Sequence, residues 1–305
     1  MKFTFSKYVW FDGKFVHETK ANIPVTTHAI HYGTSVFEGI RAYWNTKNLF
    51  IFRLKEHIER FRNSGKFYHI SLNFSDRQIE NAIINLCRKN RLKKSCYIRP
   101  FYFVGQYGIN LNVTKKAPTH VAIITFPFGD LFNKNGITAT ISKWRKFSDL
   151  STPIQAKMGG NYLNSILATQ DAKQKGFDEA ILLDQSGNVS EAPGENIFLV
   201  KNNKLITPTL SASALDGITQ KSIITLSKDM NLEVKVRKVS KKELKFADEI
   251  FLSGTAAEIT PVIKLDKKKI GDGKVGNITK SLMTSYTEIV MNKNKKYSHW
   301  LTPVF

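Results

Sequence analysis

Lys157 stands in the segment Ala156-Lys157-Met158-Gly159-Gly160-Asn161-Tyr162, an amine followed by two glycines at the approach to a helix. Most lysines are exposed and solvated, and that is the ordinary reading of one taken alone. The glycines change it, because residues without a Cβ let another group come close to the backbone. A lysine held in a partly desolvated pocket has a lowered pKa, which suits its amine to Schiff-base formation with a carbonyl. Lys157 is therefore the candidate nucleophile.

Three other segments have the composition of ligand sites. Leu215-Asp216-Gly217-Ile218-Thr219-Gln220 puts a glycine at the mouth of a helix and a threonine in its first turn. Free N–H groups at a helix start make a phosphate site, and Thr219 adds a hydroxyl donor. An ordinary helix cap explains the same residues equally well, and Asp216 would repel a phosphate unless its side chain points away. Ser190-Glu191-Ala192-Pro193-Gly194-Glu195-Asn196 brings two carboxylates into a tight turn before a strand, a pattern that plain acidic turns share. Ser253-Gly254-Thr255-Ala256-Ala257-Glu258 is a run of small residues at a strand end, with room for a ligand or simply for a turn.

The elements that must position these segments follow from periodicity. Residues 8–15 read as two short strands about Asp12-Gly13, a hairpin signal. Ser75-Asp76-Arg77-Gln78 is a capping box, and it opens a helix with Ile79, Ala82, Ile83, Leu86 and Cys87 on one face. Residues 97–104 and 121–126 are aromatic and β-branched with little charge, as central strands are. The Pro, Gly and Asn content of 126–136 marks a connection. Beyond it, 161–175 is helical and stops at Gly176, residues 179–183 and 197–200 form a hairpin about the turn 185–188, and another helix runs from about Gly217 towards Met230. The spacing divides the chain into a smaller α/β domain over residues 1–126, an interdomain loop over 127–138 and a larger domain over 139–305.

Bulk properties bound the answer. The chain has 305 residues, enough for two α/β domains, with 42% hydrophobic and 23% charged residues as in globular proteins. Cys87 and Cys96 form no metal-ligand spacing, so no metal site is expected. Residues 1–10 carry no apolar leader, and no run of about 18 apolar residues occurs, which predicts a cytoplasmic protein. The formal charge of +21 comes from lysines scattered without interleaved stacking aromatics, so it argues for solubility and attraction of small anions rather than for nucleic-acid binding.

The four segments, in their order along the chain, resemble those of the branched-chain amino acid aminotransferases. The likeness extends to His31-Tyr32-Gly33-Thr34-Ser35-Val36-Phe37-Glu38-Gly39-Ile40-Arg41, to Tyr97-Ile98-Arg99-Pro100 and to His299-Trp300-Leu301-Thr302-Pro303-Val304, and runs from about Tyr8 to the C-terminus. It implies an α/β (α+β two-domain) enzyme of fold-type IV, with pyridoxal 5'-phosphate between the domains and at least a homodimer whose active site the partner chain helps to close. It further implies that Lys157 holds the cofactor and shuttles the proton, and that Glu191 bonds the pyridine nitrogen. Tyr162 would bond the phenolic oxygen, and Leu215 would pack on the ring. Arg60, Gly217, Ile218, Thr219, Gly254 and Thr255 would surround the phosphate. For the substrate, the expected wall is Tyr32, Phe37, Gly39 and Phe128, with Ala256 and Ala257 at the α-carboxylate and Arg99 at the distal carboxylate of glutamate or 2-oxoglutarate. Ala192-Pro193 and Gln220 depart from the commoner pattern, where glycine and arginine are frequent. Within the same fold, a D-amino acid aminotransferase or an aminodeoxychorismate lyase is the alternative, and Gly39-Ile40-Arg41, Tyr97-Ile98-Arg99-Pro100 and Thr255-Ala256-Ala257 resemble the branched-chain group.

Overall fold

The computed structural model describes residues 4–305; the first three residues of the N-terminal segment read above lie outside that range. Two compact units emerge, the first comprising Met1–Gly129, Ala156–Gly160 and Glu288–Phe305, the second Asp130–Gln155 and Asn161–Thr287.

In the first unit the order is β1 (Tyr8–Phe11), β2 (Lys14–His17), α1 (His28–Tyr32), β3 (Ser35–Phe37), β4 (Ile40–Trp44), β5 (Leu49–Phe52), α2 (Leu54–Lys66), α3 (Asp76–Lys89), β6 (Cys96–Val104) and β7 (Thr119–Pro127). The strands make an antiparallel sheet in the order C-terminal strand Leu301–Pro303, β5, β4, β6, β7, β1, β2, with β3 also on β6. The hairpin at Asp12-Gly13 is present, as is the capping box, in which Ser75 Oγ accepts from the Gln78 N–H and the Gln78 side chain accepts from the Ser75 N–H. All five apolar positions of α3 are buried, and they join Leu54, Ile58 and Phe61 of α2 in one core against the sheet. Large side chains of this kind each contribute about 1.5–3 kcal/mol of burial. The sequence placed residues 139–305 together, whereas the C-terminal strand hydrogen-bonds β5.

The second unit contains β8 (Ile137–Arg145), α4 (Tyr162–Gln174), β9 (Glu179–Leu183), β10 (Asn196–Lys201), β11 (Lys204–Thr207), α5 (Ile218–Asp229), β12 (Val234–Val236), α6 (Lys241–Lys245), β13 (Glu249–Gly254), β14 (Glu258–Leu265), β15 (Lys268–Lys269) and most of α7 (Asn277–Val290). Its mixed sheet runs β12, β11, β10, β13, β14, β8, β9, with β15 on β14. The expected hairpin of 179–183 with 197–200 does not form: β9 pairs in parallel with β8, and β10 lies between β11 and β13. The turn itself is real, because the Asp184 N–H reaches the Asn188 carbonyl at 2.8 Å and the chain returns along β9 as far as Glu191. There the Ala192 N–H bonds the Glu195 carbonyl, and this second turn redirects the strand. The result is that Glu191 sits at the bend.

Candidate active site

In the first unit the backbone of Lys157 is pinned from two elements. Its N–H donates to Ser64 Oγ of α2 at 3.0 Å, and its carbonyl accepts from the Phe37 N–H of β3 at 3.1 Å. Gly159 is close to Ser35, whose Oγ would lie 2.3 Å from an added Cβ, so the glycine run admits β3. The Lys157 Nζ lies 5.0 Å from the centre of the Phe37 ring, and the Arg99 guanidinium lies 4.5 Å from the same centre. The half-buried amine is brought from 10.5 down to about 8, by burial first and then by the charge of Arg60; Glu38 and Tyr97 oppose the shift, and Arg99 adds to it.

Arg60 belongs to a buried polar group on α2. His57, Arg60 and Ser64 recur at i, i+3 and i+7, beside the apolar stripe of Leu54, Ile58 and Phe61. Glu38, fully buried just after β3, accepts from Arg60 Nε at 2.6 Å and Nη2 at 2.9 Å, from His57 Nδ1 at 2.7 Å and from the Gly39 N–H at 3.3 Å. Burial alone would raise the Glu38 pKa, but Arg60 and His57 outweigh it and hold the carboxylate well below its ordinary range. Burial pushes the His57 pKa down, against the pull of the Glu38 carboxylate 2.7 Å from its Nδ1.

Next to this group is an aromatic wall faced by arginines. An added Cβ on Gly39 would meet Tyr97 Oη at 1.9 Å, so only glycine admits that phenol. Arg99 Nη2 donates to the same oxygen at 3.3 Å, and Arg99 Nε is buried without a partner among the described residues. The Phe128 ring stands 5.3 Å from that of Tyr97. Arg41 steadies it, with its guanidinium 5.1 Å from the Phe128 ring and Nη2 donating to the Gly129 carbonyl at 2.8 Å. Phe37, Gly39, Arg99 and Phe128 thus fall together around Tyr97, whereas Tyr32 points its hydroxyl to the Ile109 carbonyl at 3.1 Å and is 42% exposed. Tyr97, Glu38 and His57 had no role in the sequence reading. The i, i+3 spacing of His57 and Arg60 was the available signal for the latter pair.

In the second unit, Glu191 is buried and fully engaged. Its Oε1 pairs with Lys146 Nζ at 2.6 Å, and its Oε2 accepts from the Leu215 N–H at 2.9 Å and from Asn196 Nδ2 at 3.2 Å. Burial presses the Lys146 pKa down, yet Glu191, with Tyr162 and Glu195 further off, raises it overall. Nothing in the sequence pointed to Lys146, since a lysine at the end of a strand is usually solvated. Asn196 also donates to the Leu215 carbonyl at 2.9 Å, and its Oδ1 would lie 1.9 Å from a Cβ on Gly217. The glycine is needed for that approach.

Gly217 is the N-cap of α5 and offers no capping side chain, so the first N–H groups of this 12-residue helix, at the buried Ile218 and Thr219, have no side-chain cap from it. Asp216 turns to Lys221 Nζ at 2.5 Å, which removes the repulsion feared for an anion there. Gln220 donates to Thr207 Oγ1 at 2.9 Å. Thr255, Ala256 and Ala257 form the turn between β13 and β14, closed by the Gly254–Glu258 pair and by Thr260 Oγ1 donating to the Ala257 carbonyl at 2.8 Å. Half-buried Tyr162 opens α4. Among the described residues no group of His, Cys, Asp or Glu could hold a metal ion, and no helix is long and apolar enough to cross a membrane.

Residues 35–265 match the family model for amino-transferase class IV, and the chain belongs to that family. It is 41% identical over 302 residues to a probable branched-chain-amino-acid aminotransferase of Aquifex aeolicus, covering 98% of this chain and 97% of that protein. The crystal structure of the Escherichia coli branched-chain amino acid aminotransferase superposes with a TM-score of 0.96 at 40% identity, covering 98% of this chain and 100% of that one. The branched-chain amino acid aminotransferase from Thermobaculum terrenum, solved in its PLP-form, gives 0.93 at 34% identity, covering 99% of both chains. These likenesses bear out the expected fold-type IV architecture.

Proposed function

We propose that this chain is a pyridoxal-phosphate-dependent transaminase that moves the amino group of L-leucine, L-isoleucine or L-valine to 2-oxoglutarate. The observation that carries the reading is the Lys157 amine, brought down to about 8 over the Phe37 ring beside two arginines. Each unit carries groups of the kind the cofactor would need: in the first, the Lys157 amine for its carbonyl and Arg60 for its phosphate; in the second, the start of α5 with Thr219 for the phosphate, a carboxylate at Glu191 for the ring nitrogen and a phenol at Tyr162 for the phenolic oxygen. When bound, pyridoxal phosphate supplies the carbonyl that carries the amino group and a ring that draws electrons from the substrate. Lys157 would hold the cofactor through its amine and would take the proton from the substrate Cα. Glu191 favours a protonated ring nitrogen, and Leu215 packs beside the ring. Phe37, Gly39 and Phe128 receive the branched side chain and exclude water. Arg99, with its buried Nε, receives the distal carboxylate of 2-oxoglutarate, while the backbone at Thr255, Ala256 and Ala257 receives the α-carboxylate.

The same reading includes a homodimer. On α4, Leu163, Ile166 and Leu167 are 64%, 51% and 41% exposed at i, i+3 and i+4, an apolar stripe that a second copy would cover. A cytoplasmic setting fits two buried cysteines held as thiols. Stopped-flow spectra of the holoenzyme test the substrates: L-leucine should convert it to the pyridoxamine form, and 2-oxoglutarate should restore it. Conversion by D-alanine with none by L-leucine would instead favour the D-amino acid aminotransferase alternative.

A further inference from the structure

A fully buried carboxylate is costly unless its partners compensate, and Glu38 is surrounded by compensation on every side. Two of the five N–H donors of Arg60 go to it in a fork, which fixes the plane of the guanidinium. His57, anchored one turn earlier on the same helix, holds Glu38 Oε2 from a third direction, and the Gly39 N–H from a fourth. The group therefore has one geometry. It also lies within electrostatic reach of Lys157, where Arg60 and Arg99 disfavour a charged amine and Glu38 and Tyr97 favour it.

We propose that Glu38 is a positioning residue of the transamination: its carboxylate, held by His57, fixes the Arg60 guanidinium in the orientation that meets the cofactor phosphate and offsets its charge beside Lys157. The proposal rests on the assignment of Lys157 and Arg60 to the cofactor. A group that only stabilises the fold would change the unfolding midpoint and leave the Lys157 amine alone. Glu38 does more, because an amine among uncompensated arginines would be too weak a base to take the proton from the substrate Cα.

The test measures the amine directly. In the enzyme stripped of cofactor, competitive acetylation of lysines across pH 6 to about 10, read by peptide mass spectrometry, gives the inflection of Lys157. Cofactor affinity is measured in parallel by absorbance titration. Glu38→Gln should move the inflection down by about one pH unit and weaken cofactor binding about tenfold or more. Arg60→Met should move the inflection up and weaken binding. In the double variant Glu38→Gln/Arg60→Met the inflection should fall below that of Arg60→Met, with binding no weaker than in Arg60→Met alone, because Glu38 acts on the phosphate only through Arg60. Should Glu38→Gln alone not fold by circular dichroism, the double variant, which leaves neither charge buried unpaired, decides by the same comparison. An inflection indifferent to Glu38, or binding losses that add in the double variant, would overturn the proposal. Failure of the underlying assignment looks different: in the wild type, cofactor loading would not protect Lys157 from acetylation.

Discussion

At pH 8 an ordinary lysine with a pKa near 10.4 is neutral in well under about one molecule in a hundred, whereas Lys157, brought down to about 8 by burial and by Arg60, gives up its proton far more readily. Capture of cofactor by the stripped enzyme should therefore accelerate through an inflection near pH 8. The sign for stability is the reverse of that for a salt-bridged lysine. The folded pKa lies below the unfolded one, so Lys157 disfavours folding fully below about 8, and the penalty fades as the pH rises towards 10.5. The cofactor-free protein should accordingly gain stability from this residue over that window, and Lys157→Met should flatten that part of the profile in denaturation measurements. Two other side chains should affect the reaction unequally. Glu191→Gln would weaken the proposed partner of the ring nitrogen and remove the carboxylate paired with Lys146, so turnover at saturating cofactor should fall at least about tenfold, the equivalent of a charge-assisted hydrogen bond of ~1.5–3 kcal/mol. Arg99→Ala should weaken the 2-oxoglutarate half-reaction about ten- to a hundredfold with little change in that of leucine, by single-turnover stopped flow. Equal losses for both substrates would move the distal-carboxylate role to another residue. Among these residues Lys157 was the most legible, because its setting is local: a lysine ahead of two glycines is visible in a line of text. Glu38 was not, because its partners His57 and Arg60 are joined to it only by the packing of α2 on β3.

At the scale of elements, α3 is the clearest case of sequence dictating structure. Its Ser75-to-Gln78 capping box and its apolar stripe are both observed, and Leu86 is fully buried. Leu86→Ala should cost about 2–5 kcal/mol, measurable by chemical denaturation, without altering the ratio of the two half-reactions. The hairpin expected around 185–188 shows where such reading stops. Turn residues and two apolar runs were read correctly, but pairing is decided by neighbours distant in sequence, and β8 and β13 compete successfully for β9 and β10. Ala192-Pro193-Gly194, which the sequence suggested only as a site segment, is also the physical reason the returning strand cannot continue along β9.

For the whole molecule, the formal charge of +21 fits a phosphorylated cofactor and 2-oxo acid substrates that are anionic, and it does so without a basic stripe interleaved with aromatics. The homodimer proposed above would cover the exposed apolar side chains of α4. Ile166→Glu should produce a smaller species than the wild type in sedimentation velocity. Identical sedimentation would exclude this face from the interface. The central claim, that one particular lysine carries the cofactor, is open to a more direct measurement. Borohydride reduction of the intact holoenzyme fixes the cofactor to whichever lysine holds it, and proteolysis with mass spectrometry then locates it among the many lysines of the chain. The account predicts the phosphopyridoxyl group on the peptide containing Lys157 and on no other; finding it on a different lysine, or finding no stable adduct at all, would contradict it.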